Sequence, residues 1–171
     1  MSTAVDTKEG KLILDSHKLS YHMDRVQAWE SGERIAPISV DMALTRACGA
    51  MCTFCYAMVQ ESQERSSVKT PVALKLVDDF ERLGIRSVSL VSDGESTLSP
   101  AYVPFIKHAY DAGIDVGNGT NGWEWEPEKI EQVLPYLTWV RFTVAAGRPN
   151  TYADMMYKGP EHTQVFDRAI C

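Results

Sequence analysis

From Pro37 onward, short runs rich in apolar and β-branched residues alternate with stretches of helical period, and proline or glycine marks most of the joins. Ile38 to Leu44 alternates as a strand. Thr70-Pro71 then opens a helix in which Val72, Leu74, Leu76, Val77, Phe80 and Leu83 recur at helical spacing, and Gly84 ends it. Ile85 to Val91 reads as a second strand, Pro100 to Ala112 as a helix stopped by Gly113, and Ile114 to Val116 as a third strand running into a glycine-rich turn, Gly117 to Gly122. Pro127 opens a helix reaching Leu134. Trp139 to Ala145 is a fourth strand, followed by Gly147 and a loop, and His162 to Ile170 begins another helix. Such alternation with short connections implies an α/β fold with a parallel sheet and right-handed crossovers. In these folds the chemistry collects at the C-terminal ends of the strands.

Residues 1–36 read as an N-terminal extension and 37–171 as the core, with no linker that would mark a second large domain. Met1 to Leu14 is expected to be a loose lead-in. From Lys18 to Glu30, Leu19, Met23, Val26 and Trp29 recur at helical spacing before Ser31-Gly32, which predicts an amphipathic helix. His17 and His22 fall here and read as surface or packing residues rather than ligands. A chain of 171 residues suffices to bury a real core, and a net charge of −6 argues against a nucleic-acid surface, which needs clustered Lys and Arg. No apolar run approaches the roughly 18 residues of a membrane span, and Met1 to Lys11 has no apolar signal region, so a cytoplasmic protein is expected.

Three of the four cysteines, Cys48, Cys52 and Cys55, stand as C-x3-C-x2-C directly after the first strand, while Cys171 is the last residue. Close spacing without an export signal favours metal over disulfide. Thiolate is the ligand of iron–sulfur clusters. Three on one loop each take one iron of a cubane and leave the fourth iron without a protein ligand. A structural zinc site is the competing reading, although zinc asks for four ligands, usually as two spaced pairs, and no histidine lies nearby to complete the set.

With Phe54 as its aromatic, C-x3-C-x-aromatic-C resembles the cluster loop of the radical S-adenosylmethionine (SAM) enzymes. Ser92-Asp93-Gly94-Glu95 resembles the family's Gly-Gly-Glu turn, with Asp93 in place of the first glycine, and Thr120-Asn121-Gly122 resembles the Thr-Asn-Gly often found one strand later. The resemblance implies a partial TIM-like (β/α) barrel, of which this chain supplies about four units of a six-unit barrel. It also implies a [4Fe-4S] cluster on Cys48, Cys52 and Cys55, and SAM held by Phe54, Tyr56, Gly94, Glu95, Thr120, Asn121 and Thr143, with Glu95 complementing the methionine ammonium. Reductive cleavage of SAM would give a 5′-deoxyadenosyl radical that takes hydrogen from a peptide, sugar or small-metabolite substrate, fed by a low-potential donor of flavodoxin or ferredoxin type. The alternative is a non-catalytic iron–sulfur or zinc protein. Arg141 and Arg148 are candidate carboxylate partners. Trp123 and Trp125, flanking Glu124, read as packing before substrate platform. Gly117-x-Gly119 is no dinucleotide fingerprint, since the full G-x-G-x-x-G entry into a helix is missing.

Overall fold

The computed structural model describes residues 3–7, 10–14, 18–59, 66–91 and 93–156. It divides into two compact units, Met1–Ala36 and Pro37–Cys171. The first unit opens with strands β1 (Thr3–Thr7) and β2 (Gly10–Leu14), paired antiparallel from Thr3↔Leu14 to Thr7↔Gly10. The expected loose lead-in is therefore a hairpin: each run is only five residues long, too short for its pattern to stand out before its partner is known. A 3-10 turn at Lys18–Tyr21 precedes helix α1 (Met23–Glu30), which starts later than the sequence periodicity predicts, with His22 immediately ahead of it.

The second unit runs β3 (Ser39–Asp41), α2 (Thr70–Leu83), β4 (Ser87–Leu90), α3 (Tyr102–Asp111), β5 (Asp115–Thr120), α4 (Pro127–Val133), β6 (Trp139–Phe142) and α5 (Pro149–Met156). Its four strands form one parallel sheet in chain order, β3-β4-β5-β6, in the register Val40↔Val88↔Val116 with Leu90↔Asn118↔Val140. Val88, Leu90 and Val116 pack with Val77 of α2 and with Tyr102, Phe105, Ile106 and Ala109 of α3 in one core. Phe105 is fully buried there. Phe105→Ala should cost about 3–5 kcal/mol of stability, read as a lowered midpoint in a urea melt. An unchanged midpoint would show that the α3–sheet core does not carry the fold.

Four sequence expectations are corrected. β5 continues through Gly117 and Gly119, which are not turn residues: the missing Cβ at Gly117 makes room for the Trp139 indole of the paired strand, and that at Gly119 for Val91. β3 is confined to Ser39–Asp41, although the Met42 N–H still reaches the Ser89 carbonyl at 3.0 Å. β6 ends at Phe142, so Thr143 lies just past it, its N–H on the Thr120 carbonyl at 2.9 Å. The stretch after Gly147 is a helix, α5, with Pro149 at its start and Tyr152, Ala153 and Met156 buried. In the polar connection after the cysteines, Tyr56–Val59 makes a 3-10 turn, and Thr45 bridges Ser67 as the chain returns. Ser92, His17, Cys171 and the helix expected at His162 to Ile170 lie outside the described residues.

Candidate active site

A cavity of about 410 Å³ opens beyond the C-terminal ends of the four parallel strands. The loop after β3 brings Cys48, Cys52, Phe54, Cys55 and Tyr56 to it. The turn after β4 brings Gly94 and Glu95, the end of β5 brings Thr120 and Asn121, and β6 with its extension brings Arg141 and Thr143. Every cofactor residue picked from the sequence thus lines one space, of the size that small-molecule sites occupy. Arg148 is not among the lining residues; its carbonyl accepts the Tyr152 N–H at 2.8 Å in α5.

The cysteine loop is shaped by its own turns and clamped by a distant helix. Thr45, buried where the loop leaves the sheet, accepts the Ala47 N–H on its hydroxyl at 3.0 Å, and the Cys55 N–H closes on the Cys52 carbonyl at 3.1 Å. The Met51 and Thr53 N–H groups donate to the carbonyls of Met156 and Met155 at 2.7 and 2.8 Å, so the C-terminal end of α5 completes the loop. Ala50, Tyr152 and Met156 form a small core there, with Trp123 against it, and Cys52 Sγ lies 3.5 Å from Met156 Sδ. Met156 and Tyr152 were missed in the sequence because α5 was missed.

All three thiols are free. Burial pushes the Cys48 thiol up to about 12, and the carboxylates of Glu124 and Glu95 add to the effect. Cys52 is raised as well, by burial and then by Cys55. These thiols carry a cost as thiolates that bound iron would offset. Among the described residues, no three His, Cys, Asp or Glu side chains converge on a point that would hold a single ion. A lone zinc needs sulfurs about 2.3 Å from one centre, whereas a cubane takes each thiolate on a different iron. Three free thiols line one cavity, a donor set of the kind that iron–sulfur clusters use. Phe54 and Tyr56 are 53% and 62% exposed, so they are rim residues and no part of the core.

The turn after β4 is locked against this loop. Gly94 takes φ +71°, and a Cβ there would strike the Thr45 carbonyl and the Arg46 backbone. Gly94→Ala should cost about 1–3 kcal/mol from backbone strain, seen as a lower thermal midpoint of the cofactor-free protein; an unchanged midpoint would mean that the turn moves freely. Asp93, which departs from the family pattern, pairs with Arg46 at 3.6 Å. The Glu95 N–H donates to the Ala47 carbonyl at 2.8 Å, tying the turn to the residue before Cys48. The Glu95 carboxylate is 3% exposed, accepting the Thr97 hydroxyl at 3.0 Å and the Asn121 N–H at 2.8 Å. Burial holds this carboxyl above the usual carboxylate range, against the lowering effect of those hydrogen bonds.

At the end of β5, Thr120 accepts the Gly122 N–H on its hydroxyl at 3.0 Å. The Asn121 side chain is committed to protein partners: Oδ1 accepts the Trp123 N–H at 2.9 Å, and Nδ2 donates to Glu124 at 3.2 Å. Trp125 is buried against Tyr102 and Phe142, which bears out packing as its role. Glu124, passed over in the sequence, accepts the Gly49 N–H at 3.1 Å. No spacing rule singles out an acid between two tryptophans.

An open parallel sheet with a thiol-bearing cavity at its C-terminal strand ends defines a partial β/α barrel with its candidate site at those ends. The chain belongs to the radical SAM superfamily, whose model matches residues 42–169. Members of that superfamily bind a [4Fe-4S] cluster and SAM. The chain is 26% identical over 98 residues to an AdoMet-dependent heme synthase of Methanosarcina barkeri, a match covering 57% of this chain and 28% of the relative. It thus spans under a third of that relative's length. Among solved structures, Streptococcus suis SuiB bound to S-adenosylmethionine aligns over 90% of this chain and 37% of its own, with TM-score 0.65 and 15% identity. BtrN in complex with AdoMet and 2-DOIA aligns over 67% and 48%, with TM-score 0.58 and 15% identity. These likenesses bear out the α/β, TIM-like barrel fold. No helix among the described residues is long and apolar enough to cross a membrane.

Proposed function

We propose that this chain carries the cluster- and SAM-binding half-barrel of an enzyme that cleaves SAM reductively and uses the resulting radical on a peptide, sugar or small-metabolite substrate. The observation that carries the reading is the convergence of three free thiols and the Glu95 carboxylate on one cavity at the strand ends. When bound, the cluster and SAM supply a one-electron scission of the sulfonium C–S bond that yields methionine and a 5′-deoxyadenosyl radical. Cys48, Cys52 and Cys55 would hold the cluster through their thiolates. Glu95 lines the cavity and takes the methionine ammonium, while buried Thr120 and the adjacent Thr143 line the path of the nucleoside. Phe54 and Tyr56 cover the rim and exclude water. Arg141 lines the cavity as a cation that meets a carboxylate of SAM or substrate. A flavodoxin- or ferredoxin-type protein delivers the electron, in keeping with a reducing, cytoplasmic setting for the free thiols.

The test is anaerobic reconstitution of the chain with iron and sulfide, reduction with dithionite, addition of SAM and detection of 5′-deoxyadenosine by mass spectrometry. Appearance of 5′-deoxyadenosine only with both reductant and SAM is expected. Uptake of one zinc with no cluster would overturn the reading, as would an intact cluster that leaves SAM untouched.

A further inference from the structure

Glu124 sits at the edge of the thiol cavity with two partners on one oxygen. Its Oε2 accepts the Gly49 N–H at 3.1 Å and the Asn121 side-chain amide at 3.2 Å. Gly49 follows Cys48 in the cysteine loop, 75 residues earlier in the chain. The approach is so close that a Cβ at Gly49 would push the Glu124 carboxylate out of its present position. Chemistry fixes the orientation of Asn121. The Trp123 N–H at 2.9 Å only donates, so the atom facing it is Oδ1; the carboxylate only accepts, so the atom facing it is Nδ2. With both ends decided, Nδ2 stands 3.9 Å from Cys48 Sγ, within reach of an N–H···S hydrogen bond.

We infer that Asn121 and Glu124 form a bracket that sets the redox potential of the cluster at Cys48: Asn121 donates to the ligand sulfur, and Glu124 aims that donor and places a negative charge beside it. The inference rests on the cluster-binding reading above. Both are positioning residues, and their electrostatic effects oppose one another. An N–H on a ligating sulfur stabilises the reduced cluster, which carries one more negative charge, while a nearby carboxylate resists that charge.

The experiment is a redox titration, followed by electron paramagnetic resonance, of the anaerobically reconstituted complete chain, after iron and sulfide have been counted. Glu124→Gln keeps an oxygen for both hydrogen bonds and removes the charge, so the midpoint is expected to rise. Asn121→Ala keeps the backbone N–H that serves Glu95 and removes the N–H···S donor, so the midpoint is expected to fall. Each shift should be on the order of 59 mV, a tenfold change in the oxidised-to-reduced ratio of a one-electron couple. A purely structural bracket would lower cluster occupancy and leave both midpoints where they are, which overturns the inference. Glu124→Gln decides the matter even if Asn121→Ala holds no cluster, because it preserves the bracket. A wild type that assembles no cluster overturns the functional reading and the inference together; a wild type with a cluster and unmoved variant potentials overturns the inference alone.

Discussion

Cys52→Ala is expected to lose the cluster outright, with iron and sulfide near background after anaerobic reconstitution and 5′-deoxyadenosine formation down by more than about 100-fold, or beyond roughly 2.7 kcal/mol of barrier. The loop offers three thiols, and the other acids that line the cavity, Asp93 and Glu95, are held by Arg46 and by the Thr97 and Asn121 hydrogen bonds. The fold itself should tolerate the change. Cys52 is only half-buried, and the loop is held by backbone hydrogen bonds from Met51 and Thr53 to α5, which alanine leaves in place. The measurement is iron and sulfide per chain beside a thermal melt of the cofactor-free protein. A variant with wild-type iron and sulfide would remove Cys52 from the ligand set.

Glu95→Gln should weaken SAM binding by about 10- to 100-fold, the worth of roughly 1.5–3 kcal/mol for a hydrogen bond to a charged partner, while leaving the cluster assembled. The same variant should stabilise the cofactor-free protein near neutral pH. Burial holds the Glu95 carboxyl above its usual range, so between the unfolded-state and folded-state values the folded protein keeps a proton that the unfolded chain has released, and above both it bears the cost of a buried charge. The folded protein is then at its most stable, as far as this group is concerned, below the unfolded-state value, and loses that stability as pH rises through the folded one. Glutamine is free of this penalty and keeps an oxygen for the Asn121 N–H. The advantage of the variant in a thermal melt should therefore shrink as the solution is acidified. Equilibrium dialysis with SAM reads the first effect and melts at two pH values read the second. A variant that binds SAM as tightly as wild type would take the ammonium away from Glu95.

How far the sequence reveals this molecule depends on how local each signal is. α2 was legible because its cues lie within it: Pro71 at its first turn, apolar residues on one face, Gly84 after Leu83. The cysteine loop was legible because three ligands share one short segment. Gly117 and Gly119 misled because glycine signals a turn when read along the chain, and here it answers crowding from neighbouring strands, the Trp139 ring above all. Pro149 carried the start signal of α5, but the helix is only eight residues long and its buried face, Tyr152, Ala153 and Met156, has no partner until the cysteine loop folds against it. Glu124 and Asn121 belong to the same class, since their meaning depends on Gly49 and Cys48, which the topology delivers from the far side of two crossovers.

The clamp of α5 on the cysteine loop also imposes an order on biosynthesis. Met51 and Thr53 find their carbonyl partners on Met156 and Met155, and Cys52 its sulfur neighbour 104 residues downstream. While the chain is still emerging from the ribosome, the thiols are exported long before the helix that shapes their loop. Through that interval they are exposed to oxidants and stray metals without a finished site. The loop therefore reaches its final shape only once Met156 has cleared the exit tunnel, which makes its completion a late event in the life of the nascent chain.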